Sequence, residues 1–194
     1  MTSLIHPSSF LTNSISSDFL SIDRHSCVDR SYLQPYISIG CFTYVTRAKV
    51  GSYVSIGSRV SVGGFNHEYQ NTFSTFGLES FRSRFLSGSS GRPSSFNTVI
   101  EPDVWIGDNT VVLSGVNLGV GCIVGAGSVV TKTTEPYTIN VGNPSRPIKH
   151  RFDMPMVASL LRSRWWLADD LSTLADFVDL PPAQFLEFIS TRNF

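Results

Sequence analysis

The chain contains four histidines, and His67 stands out because a long polar segment begins beside it. It lies three residues after the pair Gly63-Gly64, in the stretch 63–69, and Asn66 precedes it. An imidazole has an ordinary pKa near 6.5, so at pH 7 it is mostly neutral and can accept a proton from a hydroxyl or an amine. A general base of this kind contributes about 10²–10⁴-fold to the rate of a group transfer. His67 is therefore a candidate catalytic base, and a purely structural histidine is the competing interpretation.

Transfer from an activated thioester needs such a base, together with donors for the tetrahedral oxyanion. Backbone N–H groups or the Asn66 amide are the candidate donors. No protein nucleophile is required, and no serine or cysteine lies in a recognisable nucleophile motif. The three cysteines are expected to be reduced thiols, since they match no zinc or redox spacing.

A cluster of basic residues lies further along the chain, around an Asn-Pro-Ser turn. It comprises Lys132, Arg146, Lys149, His150 and Arg151. Guanidinium and ammonium groups suit the phosphates of a nucleotide. A solvated surface is the alternative interpretation, and spacing alone favours it.

Composition excludes several other classes of partner. The 194 residues have a formal net charge of zero and 41% hydrophobic residues. Nucleic-acid binding is not expected, because it depends on a basic face. No apolar run is long enough to span a bilayer and no signal peptide is expected, so the prediction is a cytoplasmic protein without membrane insertion.

The elements that must position these residues are predicted by a six-residue period. Large aliphatic residues recur at every sixth position from residue 100, and small or β-branched residues follow four places later. The aliphatic positions are Ile100, Ile106, Val112, Leu118, Val124 and Val130, and Val50, Ile56 and Val62 share the register. A period of six fits neither a helix nor an ordinary exposed strand and is typical of a parallel β-helix. An ordinary β-sandwich with glycine-rich turns is the less favoured alternative.

The pattern divides the chain into three parts. Residues 1–36 are predicted to be an irregular segment or a first coil, and residues 37–150 the β-helix, with a slip in register between Val45 and Val50. The period stops over residues 64–99, which predicts a protruding loop, and long loops on a rigid scaffold are usually functional. Residues 151–194 are predicted to form a helical extension that begins near Asp153.

Three stretches of this sequence resemble the hexapeptide-repeat acetyltransferases. They are residues 103–107, 125–132 and 141–152, and the likeness extends over about residues 37–170. The xenobiotic branch, with streptogramin A and type-B chloramphenicol acetyltransferases, is the most similar. Asn66-His67-Glu68-Tyr69 is similar to the catalytic-histidine loop of that branch.

The resemblance implies a left-handed parallel β-helix, an all-β fold, that assembles as a homotrimer with active sites between subunits. It implies acetyl-CoA as co-substrate, no metal, and His67 as the base. It further implies that the pantetheine and phosphates contact Trp105, Ser114, Gly115, Ala126, Thr131, Lys132, Arg146 and Lys149. Candidate contacts to the acceptor are Tyr44, Asn66, Tyr69 and Phe73.

The acceptor is predicted from a departure from that branch. Drug-acetylating members carry a long insertion between the equivalents of Tyr44 and Ile56, and here only residues 45–55 join these positions. O-acetylation of a saccharide or another small hydroxyl compound is therefore the preferred function. Antibiotic acetylation and N-acetylation of an amino-sugar stay open. A γ-class carbonic anhydrase is disfavoured because His67 is the one histidine near the repeats, and a non-catalytic scaffold is the remaining alternative.

Overall fold

The computed structural model describes residues 3–64, 97–167 and 180–190, and three parallel β-sheets dominate it. Strands are numbered in chain order. Sheet A comprises β1 (Leu4–Ile5), β4 (Leu20–Ile22), β7 (Ile37–Ile39), β10 (Val54–Ile56), β13 (Trp105–Ile106), β16 (Ile123–Val124), β18 (Thr138–Val141) and β19 (Arg146–His150). Sheet B comprises β2 (Phe10–Thr12), β5 (Cys27–Asp29), β8 (Tyr44–Thr46), β11 (Ser61–Gly63), β14 (Val111–Leu113) and β17 (Val129–Val130). Sheet C comprises β3 (Ile15–Ser16), β6 (Tyr32–Leu33), β9 (Ala48–Val50), β12 (Thr98–Ile100) and β15 (Asn117–Leu118).

Successive strands fall on sheets A, B and C in turn, so every three strands close one triangular coil, and about six coils stack. Neighbouring coils pair in parallel, with backbone hydrogen bonds along the stack. The predicted parallel β-helix is confirmed. Every aliphatic residue of the predicted ladder lies in the core, and Val50, Ile106, Val112, Leu118 and Val124 have no exposed surface.

The slip in register has a simple structural origin. Leu20 pairs with Ile37, 17 positions later, whereas Trp105 pairs with Ile123, 18 positions later. Coils in the first half of the chain are one residue shorter, because the corner between sheets B and C is shorter there. The core residues Val45 and Val50 flank this corner at a spacing of five rather than six.

The N-terminal residues are more regular than the sequence indicated. An irregular segment or a first coil was predicted for residues 1–36, but strands β1 to β6 form two coils that continue all three sheets. Ile22, Val28 and Leu33 lie in the core with at most 1% exposed surface. A strict six-residue template overlooks these coils, since the five-residue corner resets the register in each of them.

The corners of the prism place many non-glycine residues at positive φ, and some of these residues stack between coils. At the corner between sheets C and A, the Phe19 and Tyr36 rings stack at 4.9 Å and the Tyr36 and Tyr53 rings at 4.8 Å. Positive φ is strained for side chains with a Cβ. The stacked rings offset part of that strain.

The last coil is covered by an antiparallel strand and by helices. β19 pairs with β18, and helix α1 (Met154–Ser163) begins at Asp153, whose side chain accepts a hydrogen bond from the Met156 N–H at 2.9 Å. A 3-10 turn (Trp165–Leu167) follows, and helix α2 (Pro182–Ser190) packs against α1. The described ranges contain no helix with the length and apolar character needed to cross a membrane.

Candidate functional site

The 65–96 segment leaves and rejoins the β-helix at the corner between sheets B and C, here called the B–C corner. β11 ends at Gly63 and β12 begins at Thr98, so the segment is inserted within the fourth coil. Gly63 has φ +79°, and a Cβ on it would lie 2.0 Å from the Thr46 carbonyl oxygen. A residue with a side chain cannot occupy this position without moving the neighbouring coil. Gly63 is therefore required where the chain departs, whereas a Cβ on Gly64 would meet nothing within 4 Å.

Four of the predicted site residues lie outside the described residues. They are the candidate base His67 and the candidate acceptor contacts Asn66, Tyr69 and Phe73. The described neighbours that bound them are Gly64 and Asn97, and both lie at the B–C corner.

The structure stacks four of the predicted CoA contacts directly above this departure point. Gly63 pairs with Leu113, so Ser114 and Gly115 lie at the B–C corner one coil above Gly64. Val112 pairs with Val130, so Thr131 and Lys132 take the same corner in the following coil. Gly115, Thr131 and Lys132 are exposed, and neighbouring coils are about 4.8 Å apart.

Three other predicted contacts lie together on the outer face of sheet A. Trp105 is 54% exposed. Adjacent strands of sheet A pair it with Ile123, then Ile123 with Ile139, and finally Ile139 with Lys149. Side chains opposed in this way point to the same face of a sheet. Trp105 and Lys149 are therefore about 14 Å apart along one column, with two apolar rungs between them.

A β-bulge places Arg146 on the same face as Lys149. The two residues pair with Val141 and Ile139, and the register between β18 and β19 shifts between Ile139 and Asn140. Without this shift, residues three positions apart would point to opposite faces. The bulge thus directs both cations outward beyond the Trp105 column, where they can bind an anion.

The two remaining predicted contacts lie on other parts of the prism. Ala126 is exposed at the corner between sheets A and B, where its backbone packs on Gly107. Tyr44 is 57% exposed on the outer face of sheet B, in the column of Ser61 and Val111.

One chain does not bring the predicted CoA contacts together. Ser114 and Lys132 lie at the B–C corner, whereas Trp105 and Lys149 lie on sheet A. In a triangular prism the corner between two faces is opposite the third face. On one chain, therefore, the two groups of predicted contacts lie on opposite sides of the prism.

Sequence reasoning missed some residues of this region. Ile123 and Ile139 were assigned to no site, although they separate Trp105 from Lys149, and their two-residue strands are too short to show an alternating pattern. Arg47 was also missed, because it occupies the corner that the six-residue template skipped. It is 4% exposed, one coil before the departure of the 65–96 segment.

Two of the three cysteines have thiols whose pKa is raised by burial. Cys122 has no exposed surface, and burial raises the pKa of its thiol to about 11. Burial also raises the pKa of the Cys27 thiol, and the Cys41 thiol donates to the Asp23 carboxylate at 2.9 Å. Within residues 3–64, 97–167 and 180–190, no three His, Cys, Asp or Glu side chains are grouped to hold a metal ion.

Comparison with known proteins agrees with this architecture. Residues 97–132 match the family model for bacterial transferase hexapeptide (six repeats). A chloramphenicol acetyltransferase of Agrobacterium fabrum (strain C58) is 36% identical over 125 residues, which are 62% of this chain and 59% of that protein. Over these residues the chain is similar to the hexapeptide-repeat family that includes the xenobiotic acetyltransferases. The resemblance noted in the sequence is thereby confirmed.

Two solved transferase structures share the fold of this chain. A mutant of the GDP-perosamine N-acetyl transferase of Caulobacter crescentus, in complex with CoA and GDP-perosamine, superposes with a TM-score of 0.59 at 16% identity, over 77% of this chain and 57% of that one. An N-acyltransferase of Bacillus cereus, in complex with dTDP-4-amino-4,6-dideoxyglucose and coenzyme A, gives a TM-score of 0.62 at 18% identity, over 83% and 91%. The chain spans about three fifths of the length of the first curated relatives that it matches.

Proposed function

We propose that this protein is an acetyl-CoA-dependent acetyltransferase that O-acetylates a saccharide or another small hydroxyl compound, with His67 as general base. The observation that carries the proposal is the shared corner. The segment that contains His67 departs at Gly64, and Ser114 and Lys132 occupy the next two coils of the same corner. A thioester bound along these coils would present its acyl carbon near the segment that carries the base.

The proposed chemistry needs few groups from the protein. His67 accepts the proton of the acceptor hydroxyl as its oxygen attacks the thioester carbon. The Asn66 amide or backbone N–H groups donate to the tetrahedral oxyanion, and the CoA thiolate departs and is protonated. Trp105 would pack on the pantetheine, and the outward cations Arg146 and Lys149 would bind phosphates.

The same geometry supports a homotrimer with sites between subunits. The B–C corner carries one part of the predicted CoA path, and sheet A, on the opposite side of the prism, carries the other. A closed ring of identical chains can bring sheet A of each chain to the B–C corner of the next. Cyclic symmetry of order three is the arrangement that the resemblance implies.

N-acetylation of an amino-sugar is the second candidate. Two structures that share the fold are an N-acetyl transferase and an N-acyltransferase, each described in complex with an amino-sugar nucleotide. The chemistry at His67 would be the same for an amine acceptor, since either acceptor must lose a proton. Chloramphenicol and streptogramin acceptors are less favoured, since only residues 45–55 join the positions between which drug-acetylating members have their insertion.

A thiol-release assay with acetyl-CoA tests the proposal. The acceptors are sugars, amino-sugars and nucleotide-sugars, with chloramphenicol and a streptogramin for comparison. We expect release with one class of sugar, and a loss of about 10²–10⁴-fold in His67→Ala. His25→Ala is the matched control, because His25 is exposed at a corner of the second coil and stacks on Phe42 at 5.0 Å. An unchanged rate in His67→Ala would remove His67 from the mechanism.

Mixed oligomers test the placement between subunits. His67→Ala and the double variant Trp105→Ala/Lys149→Ala are each expected to lose activity alone. When the two chains are unfolded and refolded together, a site with His67 from one chain and Trp105 from the next is intact in roughly a quarter of cases. Recovery of that share of activity supports the shared site, and no recovery would place all the groups on one chain.

A further inference from the structure

Arg47 buries a charged side chain at the corner where the 65–96 segment leaves the β-helix. The residue is 4% exposed, and arginine is almost never so buried unless it is paired. Its φ of +54° belongs to the regular geometry of the B–C corner, where Arg30 has φ +46° one coil earlier. Corner geometry explains the backbone of Arg47, but it does not explain the burial of the guanidinium.

Arg30 shows what an arginine does at the same corner away from the segment. A quarter of its side chain is exposed, at 26%, and its Nε donates to the Asp29 carboxylate at 2.8 Å. The coil above Arg30 continues without interruption. Above Arg47, the chain departs after Gly64 and returns at Asn97.

The backbone of Arg47 also takes over a contact that a hydroxyl makes in the coils before it. Ser14 and Ser31 occupy the same position of the B–C corner in successive coils. The Ser14 hydroxyl accepts a hydrogen bond from the Ser31 N–H at 3.0 Å, and the Ser31 hydroxyl accepts one from the Ala48 N–H at 3.1 Å. Ala48 follows in this series and has no hydroxyl.

The next rung of this series is Thr98, the first residue of β12. The Arg47 carbonyl oxygen accepts from the Asn97 N–H at 3.0 Å and from the Thr98 N–H at 3.5 Å. The first two described residues after the 65–96 segment are thus hydrogen-bonded to the Arg47 carbonyl where the chain rejoins the β-helix.

We propose that Arg47 is a positioning residue for acyl transfer, and that its buried side chain and its carbonyl fix the two points at which the 65–96 segment joins the β-helix. It acts through His67, so the inference rests on the proposed function. A guanidinium has a rigid planar set of donors, which a lysine ammonium lacks. Charge alone therefore does not replace it.

Kinetics of Arg47→Gln and Arg47→Lys, with Arg30→Gln as the matched control, test the inference. We expect kcat to fall by about 10²-fold in both Arg47 variants, because misplaced groups lose rate steeply. The dissociation constant of CoA, measured by calorimetry, should not change, because Trp105 and Ser114 lie in other coils. Arg30→Gln should keep the wild-type kcat.

Trypsin supplies a readout that does not depend on activity. Arg82 and Arg84 lie in the 65–96 segment, and both are followed by residues that permit cleavage. Cleavage at these sites should be roughly tenfold faster in the Arg47 variants than in wild type or Arg30→Gln, because the ends of the segment are released. If the wild type releases no thiol with any acceptor, the proposed function fails, and proteolysis still tests the role of Arg47.

Three results would overturn the inference. The first is wild-type kcat and cleavage in Arg47→Lys. The second is a loss of CoA affinity in proportion to kcat, which would indicate general damage. The third is failure of Arg47→Lys to fold, because Arg47 would then serve the stability of the whole coil. If Arg47→Gln fails to fold and Arg47→Lys folds, the kcat, CoA affinity and trypsin cleavage of Arg47→Lys alone test the inference.

Discussion

Arg151 donates to the Asp103 carboxylate at 2.9 Å and thereby joins the end of β19 to a corner of the fifth coil. The same guanidinium nitrogen donates to the Gly121 carbonyl oxygen at 2.7 Å, and the group lies over the Tyr137 and Phe152 rings. Three quarters of each charged side chain is buried. This contact attaches the C-terminal region to the β-helix.

Removing either partner of this ion pair should have unequal effects on stability. Arg151→Leu leaves the Asp103 carboxylate buried without its cation, and should lower the free energy of unfolding by about 3 kcal/mol. Asp103→Asn keeps a hydrogen-bond acceptor and should cost less than about 1 kcal/mol. Urea unfolding at neutral pH measures both. If Arg151→Leu costs as much in the Asp103→Asn background as alone, the unpaired carboxylate is not the cause.

The same pair predicts a dependence of stability on pH. Burial raises the pKa of Asp103 above its ordinary 3.8, and Arg151 offsets this only in part. The folded protein therefore binds the proton of the Asp103 carboxyl more tightly than the unfolded chain does. The stability that this protonated carboxyl contributes declines as pH rises from about 4 through the raised pKa. Relative to wild type, Asp103→Asn should gain stability across that interval. An opposite slope would mean that the ion pair outweighs burial.

Two glycines with similar backbones should tolerate alanine very differently. Gly121 and Gly127 have φ of +67° and +71°, but a Cβ on Gly121 would lie 2.4 Å from the Tyr137 ring, and one on Gly127 meets nothing within 4 Å. Gly127→Ala should cost about 1 kcal/mol of backbone strain, and Gly121→Ala about 3 kcal/mol or more, because the ring must move. Thermal unfolding of both variants measures the difference. Equal costs would show that the ring yields freely.

The cysteines should react slowly with thiol reagents in the folded protein. Cys122 is buried and the pKa of its thiol is about 11, so almost no thiolate forms at pH 8. A chromogenic disulfide should label the partly exposed Cys27 and Cys41 slowly and leave Cys122 unmodified until urea is added. Rapid labelling of Cys122 without denaturant would indicate that the C-terminal coils open.

Trp165 should contribute to stability, whereas Trp105 should not. The Trp165 ring lies 5.2 Å from the Tyr53 ring and 5.7 Å from the Phe185 ring, so it joins the 3-10 turn to both the fourth coil and helix α2. Trp165→Ala should lower the free energy of unfolding by about 2 kcal/mol, and Trp165→Phe by less. Trp105→Ala is the control, because that ring is 54% exposed. Equal effects of the two alanine variants on the melting temperature would contradict this assignment.

Much of the β-helix could be predicted because its core positions follow one local rule. Residues such as Ile106 and Val112 are separated by six positions, and each occupies the same place in its sheet. Residues 1–36 were predicted as an irregular segment or a first coil, whereas they form two coils. The reason is geometric: the short B–C corner between Val28 and Leu33 leaves five positions instead of six. A template that permits five residues at every third corner recovers them.

The candidate site was harder to predict, because its parts depend on where the faces of the prism lie. Nothing in the sequence indicates that Trp105 and Ser114 lie on opposite sides of one chain. The bulge that aligns Arg146 with Lys149 is likewise a property of a pairing between β18 and β19, not of either strand alone. Arg47 resembles any surface arginine until the coil above it is known.

The 65–96 segment also has an evolutionary consequence. Ser61 pairs with Val111, and Thr98 pairs with Ala48, so the fourth coil keeps its bonds to both neighbours on each side of the inserted chain. Since closing a longer loop adds little entropic cost, such an insert can be lengthened, shortened or exchanged while the rest of the solenoid stays intact. The inserted segment can then diverge between descendants of one ancestral gene, while selection on the stacked coils proceeds separately.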